Sequence, residues 1–331
     1  MKAIAPGKII LSGEHAVVFG QPALVMAVSR FAVADVRQRH DTRIEIITRF
    51  GRVQFAPEDL ASLLIDVRGR FDQYRTGTIP ISKVLHNELE YVALGWPLLK
   101  EQFDISAGLS LQVISDLPVG SGMGSSAATA VAVLHALARS KEQRIDPETC
   151  YSLALELENF QHGHSSGADP YVAVYGGLIR FQKDIQPTRL PTPDSLFHLV
   201  NTGPPETTTG ECVDFVHHTI GKNTIWNDFR AVCGRIESAL INEDPNALCE
   251  AVRFNHQLLL EIGVVPVEIA DWIASVELAG GAAKICGAGS IRGSSGGIVW
   301  VVGTVPDPLI QSSGFTPLDV QGHCNGTIII D

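Results

Sequence analysis

Several features are scarce in this chain, and each scarcity removes a class of function. Charged residues make up only 18% of it, and the balance is acidic, with 36 Asp and Glu against 25 Lys and Arg and a formal net charge of −11. Clustered cations that could neutralise a nucleic-acid backbone are missing, so non-specific nucleic-acid binding is excluded and an anionic ligand would need cations placed locally. No run approaches the roughly eighteen consecutive apolar residues of a membrane span, and the opening Met1-Lys-Ala-Ile-Ala-Pro-Gly-Lys8 has no apolar stretch of signal-peptide length. A cytoplasmic protein with no membrane partner is expected. The six cysteines, at 150, 212, 233, 249, 286 and 324, form no C-x-x-C pair and read as buried free thiols. Eleven histidines contain no H-E-x-x-H, so no metal site made of protein ligands alone is assigned. No internal repeat or low-complexity tract occurs.

What is present is an apolar fraction of 45% over 331 residues, enough for two domains that each bury a core. Within it, Pro118-Val-Gly-Ser-Gly-Met-Gly-Ser-Ser-Ala-Ala128 stands out. Upstream, Leu109, Leu111 and Val113 alternate with Ser110 and Gln112, the period of a half-buried strand; downstream, an alanine-rich helix is predicted over 125–140. Gly120, Gly122 and Gly124 let backbone amides approach an anion, and Ser125 and Ser126 fall at the helix cap. The first amides of a helix lack intrahelical partners and lie at the positive end of its dipole, so the stretch can cradle phosphate. Two better-known glycine motifs do not fit. The P-loop pattern needs Gly at 125 and Lys at 126, both of which are Ser, and the dinucleotide fingerprint also needs Gly at 125 and an early position in its domain. In isolation a flexible glycine-serine turn fits equally well.

Along the chain, residues 2–12 read as a strand kinked at Pro6-Gly7 at a sheet edge, with Lys8, Glu14 and His15 bunched in an otherwise apolar segment. Strands are predicted at 31–38 and 43–49, and helices at 57–67 and at 81–94, the latter ended by Gly95-Trp-Pro97. Asp146 and Pro147 open a helix that runs to His162 and carries Glu156 and Glu158; a loop rich in turn formers, 163–170, holds Asp169 before a strand at 178–182. Prolines at 187, 191 and 193 mark the domain boundary. Beyond it come a strand at 197–202, helices near 224–242, 246–262 and 266–280, and strands at 282–287, 297–303 and 327–331, with a second glycine loop, Gly287 to Gly297, that contains Arg292.

Four of these stretches, in this order, resemble the GHMP kinases over nearly the whole chain: Ala5-Pro-Gly-Lys-Ile-Ile-Leu-Ser-Gly-Glu-His-Ala-Val-Val-Phe-Gly20, Pro118 to Ala128, Ser165-Ser-Gly-Ala-Asp169, and Lys284 to Gly297. The resemblance implies an α+β fold of two domains, residues 1–186 with the phosphate loop and a ferredoxin-like 187–331, with the active site in the cleft between them. It implies ATP and Mg²⁺, and most closely mevalonate as the small-molecule substrate, phosphorylated on its 5-hydroxyl. By it, Asp169 is the base and Lys8 its neighbour; Pro118, Gly120, Ser121, Gly122, Met123, Gly124, Ser125 and Ser126 hold the nucleotide; Ser126 and Glu158 hold Mg²⁺; and Glu14 and His15 line the substrate pocket, where His15 bonds a carboxylate or a hydroxyl. The fourth stretch departs from the family's denser glycine run through Ser290-Ile-Arg-Gly-Ser-Ser, and Arg292 is expected to offer its cation to the phosphates or to the substrate carboxylate. Phosphomevalonate, the 3-hydroxyl of mevalonate, a sugar, or a non-catalytic binding role stay open as alternatives, as does a homodimer.

Overall fold

The computed structural model describes residues 1–105, 107–118, 120–193, 198–303 and 307–330. Strands β1 (Lys2–Ser12), β2 (Ala23–Gln38), β3 (Ile44–Thr48), β4 (Gly51–Phe55), β5 (Leu109–Ser115), β6 (Leu178–Gln182) and β7 (Ile185–Leu190) build one sheet. Strands β8 (His198–Asn201), β9 (Ala282–Ile285), β10 (Ile298–Val302) and β11 (Thr316–Leu318) build a second, in the order β11-β8-β10-β9, before β12 (Ile328–Ile330) returns to pair with the outer side of β1. Besides β1, the 16-residue β2 serves two more neighbours, pairing Ala23–Met26 with β6 and Ala32–Gln38 with β5. Only a strand of that length can carry both.

Helices α1 (Pro57–Arg75), α2 (Glu88–Ala93), α3 (Gly95–Lys100), α4 (Ser125–Arg139), α5 (Pro147–His162) and α6 (Ala168–Tyr175) belong with the first sheet. The alanines of α4 make its surface small on most sides, so it lies close on β1 and β2 and is almost wholly buried. Helices α7 (Thr209–Thr219), α8 (Ile225–Ile241), α9 (Pro245–Glu261) and α10 (Val267–Leu278) belong with the second sheet, α9 and α10 packing on β9.

The structure moves three expectations. β1 is not an edge strand, because β12 covers it. The boundary between 186 and 187 falls inside β7, whose pairing with β6 carries the first sheet on to Leu190, and β12 brings the end of the chain back to that sheet. The helix expected over 81–94 starts only at Glu88 and ends at Ala93, and Gly95-Trp-Pro97 beyond it opens α3, since a proline in the first turn of a helix forfeits no intrahelical bond. The expected strand at 197–202 begins with a residue outside the described set, as the one at 327–331 ends.

The kink at Pro6-Gly7 appears as a register shift between β1 and β2, and it has a packing reason. A Cβ on Gly7 would meet Leu117 Cδ2 at 2.3 Å and the Met123 carbonyl oxygen at 2.8 Å. Glycine there lets the loop after β5 lie directly on β1.

Candidate active site

That loop is pinned from both sheets. Gly120, Gly122 and Gly124 all have left-handed backbones, with φ of 70°, 85° and 68°. Between them the Met123 side chain is buried and its carbonyl accepts the Lys8 amide at 2.9 Å, while the Ser121 carbonyl accepts the Ile298 amide at 3.2 Å at the start of β10. Met123 is therefore an anchor whose side chain faces the core. A Cβ on Gly122 would meet the Cys286 carbonyl oxygen at 2.8 Å, so the two glycine loops touch, one from each domain. A Cβ on Gly120 would meet nothing within 4 Å, and that side of the loop is open. Helix α4 starts immediately beyond, capped by Gly124, with no acidic residue in its first turn to compete with a bound anion. The segment is held in one conformation by these two anchors, with its Gly120 side open.

Lys8 and Asp169 meet at its floor. The lysine is 6% exposed, and its Nζ lies 3.0 Å from Asp169 Oδ2. Its stem passes under Gly124, where a Cβ would meet Lys8 Cγ at 2.8 Å. Asp169 is the second residue of α6, launched by Gly167 at φ 88°, so what reads as a turn-rich loop ends in a helix that holds the carboxylate firmly. A carboxylate a quarter exposed beside an ammonium can accept a proton from a hydroxyl in the cleft.

Glu14 and His15 take roles that their adjacency hides. Glu14 is fully buried against Lys284 of β9, each side chain 0% exposed, and burial pushes its carboxyl pKa up while Lys284 pulls it down. Its carboxylate joins β9 to the segment after β1 and is sealed from the cleft by that pairing. His15 Nε2 lies 2.9 Å from the Ala288 carbonyl, and burial lowers its pKa to about 4. A carbonyl only accepts, so Nε2 carries the proton and Nδ1 is left as an acceptor. Of the two partners expected for His15, that favours a hydroxyl over a carboxylate.

Ser126 and Glu158 are brought together. His162 Nε2 lies 3.5 Å from Ser126 Oγ and 3.8 Å from Glu158 Oε2, so both oxygens approach the same imidazole nitrogen at the start of α4. A hydroxyl and a carboxylate are the hard donors that Mg²⁺ takes, and with only two protein ligands the rest of its shell would come from phosphate oxygens and water. Among the described residues no group of three or more His, Cys, Asp or Glu is placed to hold a metal alone.

Arg292 is not brought to the cradle. It pairs with Glu211 of α7 at 3.1 Å on an exposed face, 57% and 49% accessible, and the Ser290 hydroxyl donates to its carbonyl at 2.6 Å and curls the loop there. Sequence reasoning missed Lys284 and Tyr91. Lys284 lies inside a quoted motif, but its partner is 270 positions away. Tyr91 belongs to no motif, yet its hydroxyl lies 2.8 Å from Glu158 Oε1.

Comparison with known proteins bears on this geometry. Residues 90–177 match the GHMP kinases N terminal domain, the segment that carries the cradle, Glu158 and Asp169. The mevalonate kinase of Thermococcus sibiricus is 29% identical over 336 residues, covering 97% of this chain and 93% of its own. Over nearly its whole length the chain is similar to the GHMP kinases. The solved mevalonate kinase of Methanococcus jannaschii superposes with a TM-score of 0.79 at 18% identity, over 97% of this chain and 98% of that one. A mevalonate kinase of L. major in complex with R-mevalonate superposes at 0.70 and 22% identity, over 98% and 97%. Both share the fold of this chain over nearly its whole length.

Proposed function

We propose that this protein is a GHMP kinase and transfers the γ-phosphoryl group of ATP to the 5-hydroxyl of mevalonate. The observation that carries the reading is the Lys8–Asp169 pair, 3.0 Å apart under the first turn of α4. It supplies a base and a cation beside a phosphate cradle, in a chain that aligns nearly end to end with a protein named mevalonate kinase.

Phosphoryl transfer asks mainly for in-line positioning and charge neutralisation. Asp169 takes the proton of the attacking hydroxyl, and Lys8 offers positive charge to the reacting oxygens. The open glycine face and the amides of α4 hold the phosphates. His15 Nδ1 accepts from a substrate hydroxyl, which orients the alcohol without adding a second cation. Ser126 Oγ and the Glu158 carboxylate would hold Mg²⁺, which would supply positive charge to the nucleotide phosphates.

Purified protein with mevalonate, ATP and Mg²⁺ tests this. Turnover should fall by roughly 10²–10⁴-fold in Asp169→Asn with nucleotide binding retained. Unchanged turnover refutes the base, and a panel with phosphomevalonate and galactose in which only another substrate is phosphorylated refutes the choice of mevalonate.

A further inference from the structure

Tyr91 belongs to neither glycine loop, yet it touches both residues that would bracket the cation. It sits on α2, 5% exposed. Its hydroxyl lies 2.8 Å from Glu158 Oε1 and 3.0 Å from the carbonyl oxygen of Ser126. A phenol has one proton, and donation to a carboxylate is the stronger bond, so the proton is held mainly on Glu158 Oε1. The other carboxylate oxygen, Oε2, is then the one turned toward His162 Nε2, which Ser126 Oγ also approaches.

The local structure makes that placement rigid. Helix α2 is short, but Asn87 caps it by accepting the Glu90 amide at 3.0 Å, and Glu90 is clamped from outside by Arg70 at 3.3 Å and His86 at 3.0 Å. Clamping the outer residue turns the next one, Tyr91, inward between α4 and α5. A glutamate in a site where it is only 2% exposed has few other hydrogen-bond donors to fix the rotation of its carboxylate. A group that orients a ligand in this way commonly changes metal affinity by roughly 10–100-fold.

We infer that Tyr91 is a positioning residue: its hydroxyl donates to Glu158 Oε1 beside the Ser126 carbonyl, so that Glu158 Oε2 is left to face the nucleotide-borne cation together with Ser126 Oγ. This rests on the assignment of Ser126 and Glu158 to Mg²⁺ given above. Tyr91→Phe removes one oxygen and leaves the ring packed. The probe is Mn²⁺, counted as free ion by electron paramagnetic resonance while it is titrated into the protein–ADP complex, which needs no turnover. Tyr91→Phe should bind Mn²⁺ roughly 10-fold or more weakly, with metal-free ADP binding unchanged, and should lower kcat while leaving the KM for mevalonate in place. In a Glu158→Gln background the same substitution should have no further effect on Mn²⁺, which a merely structural role would not produce. If Glu158→Gln weakens Mn²⁺ and Tyr91→Phe does not, or if the Tyr91→Phe effect persists in full in the Glu158→Gln background, the inference is overturned and the metal assignment stands. If Glu158→Gln itself leaves Mn²⁺ binding intact, the metal assignment fails, and the inference with it.

Discussion

Replacing Lys284 by methionine strips the cation from a pair in which both side chains are entirely buried. The three ammonium protons are all engaged, by Glu14 Oε1, by the Ile285 carbonyl at 2.8 Å and by the Ile10 carbonyl at 3.4 Å, whereas Glu14 Oε2 has no partner at all. Losing the lysine therefore leaves a carboxylate in the core with nothing to offset its desolvation, a change that costs about 3–5 kcal/mol. At about 2–4 °C per kcal/mol, the melting temperature should drop by roughly 6–20 °C. Glu14→Gln should fall comparably, by stranding the ammonium. The double variant Glu14→Gln/Lys284→Met should recover most of the loss, because an uncharged pair of similar volume needs no counter-ion. The sign of the pH response follows from the same picture. In Lys284→Met the folded-state pKa of Glu14 is raised further, so the penalty is present above that pKa and disappears as the pH falls through it; the variant should regain stability on acidification. Thermal melts followed by circular dichroism at pH 7.5 and pH 5 read all of this. Wild-type melting of Lys284→Met, or a double variant as unstable as the two singles added together, would refute the reasoning.

Three further outcomes follow from the same coordinates. His15 and His256 are buried, each with its pKa lowered to about 4 from 6.5, so unfolding takes up protons below pH 6.5; stability should decline between about pH 6.5 and 4, by up to about 3 kcal/mol per histidine, and a flat urea-midpoint profile over that range would contradict it. Gly124→Ala places a side chain at φ 68° and a Cβ 2.8 Å from Lys8 Cγ, so backbone strain of about 1–2 kcal/mol adds to displacement of the lysine; nucleotide titration and kcat should both weaken, and no change in either would count against the cradle. Burial pushes the Cys286 and Cys212 thiols up to about 11, while Cys324 is exposed, so brief alkylation of the native protein at pH 8 followed by mass spectrometry should mark Cys324 well ahead of both, and early labelling of Cys286 would show its loop to be more open than described.

The elements read correctly from the chain are those whose signals are local. Asp146 accepts the Thr149 amide and Pro147 occupies the first turn, so α5 starts where its cap says; β5 alternates because only one of its faces is buried. The first half of β2 escaped notice for the opposite reason. Ala23 to Val28 are buried on both faces, between β1 and β6 and under helices, which erases the period of two. Helix α7 was overlooked although its capping box, Thr208 with Glu211, is legible, because no strong apolar stripe follows it. Helix α6 hid in a run of turn formers that serve only to launch it.

The site divides along the same line. Motif order singles out Lys8, the glycine loop, Glu158 and Asp169, but it does not rank three ionisable residues crowded into positions 8 to 15. What separates them is the partner each meets: Asp169 of α6 for Lys8, Lys284 of β9 for Glu14, the Ala288 carbonyl for His15. Two of those partners lie in the second domain, so the role of a residue in β1 or just after it depends on how that sheet docks against β9 and its glycine loop. A charge becomes catalytic, structural or substrate-facing according to whether its partner leaves it a free proton site in the cleft. Asp169, a quarter exposed, keeps one; Glu14, sealed against Lys284, does not.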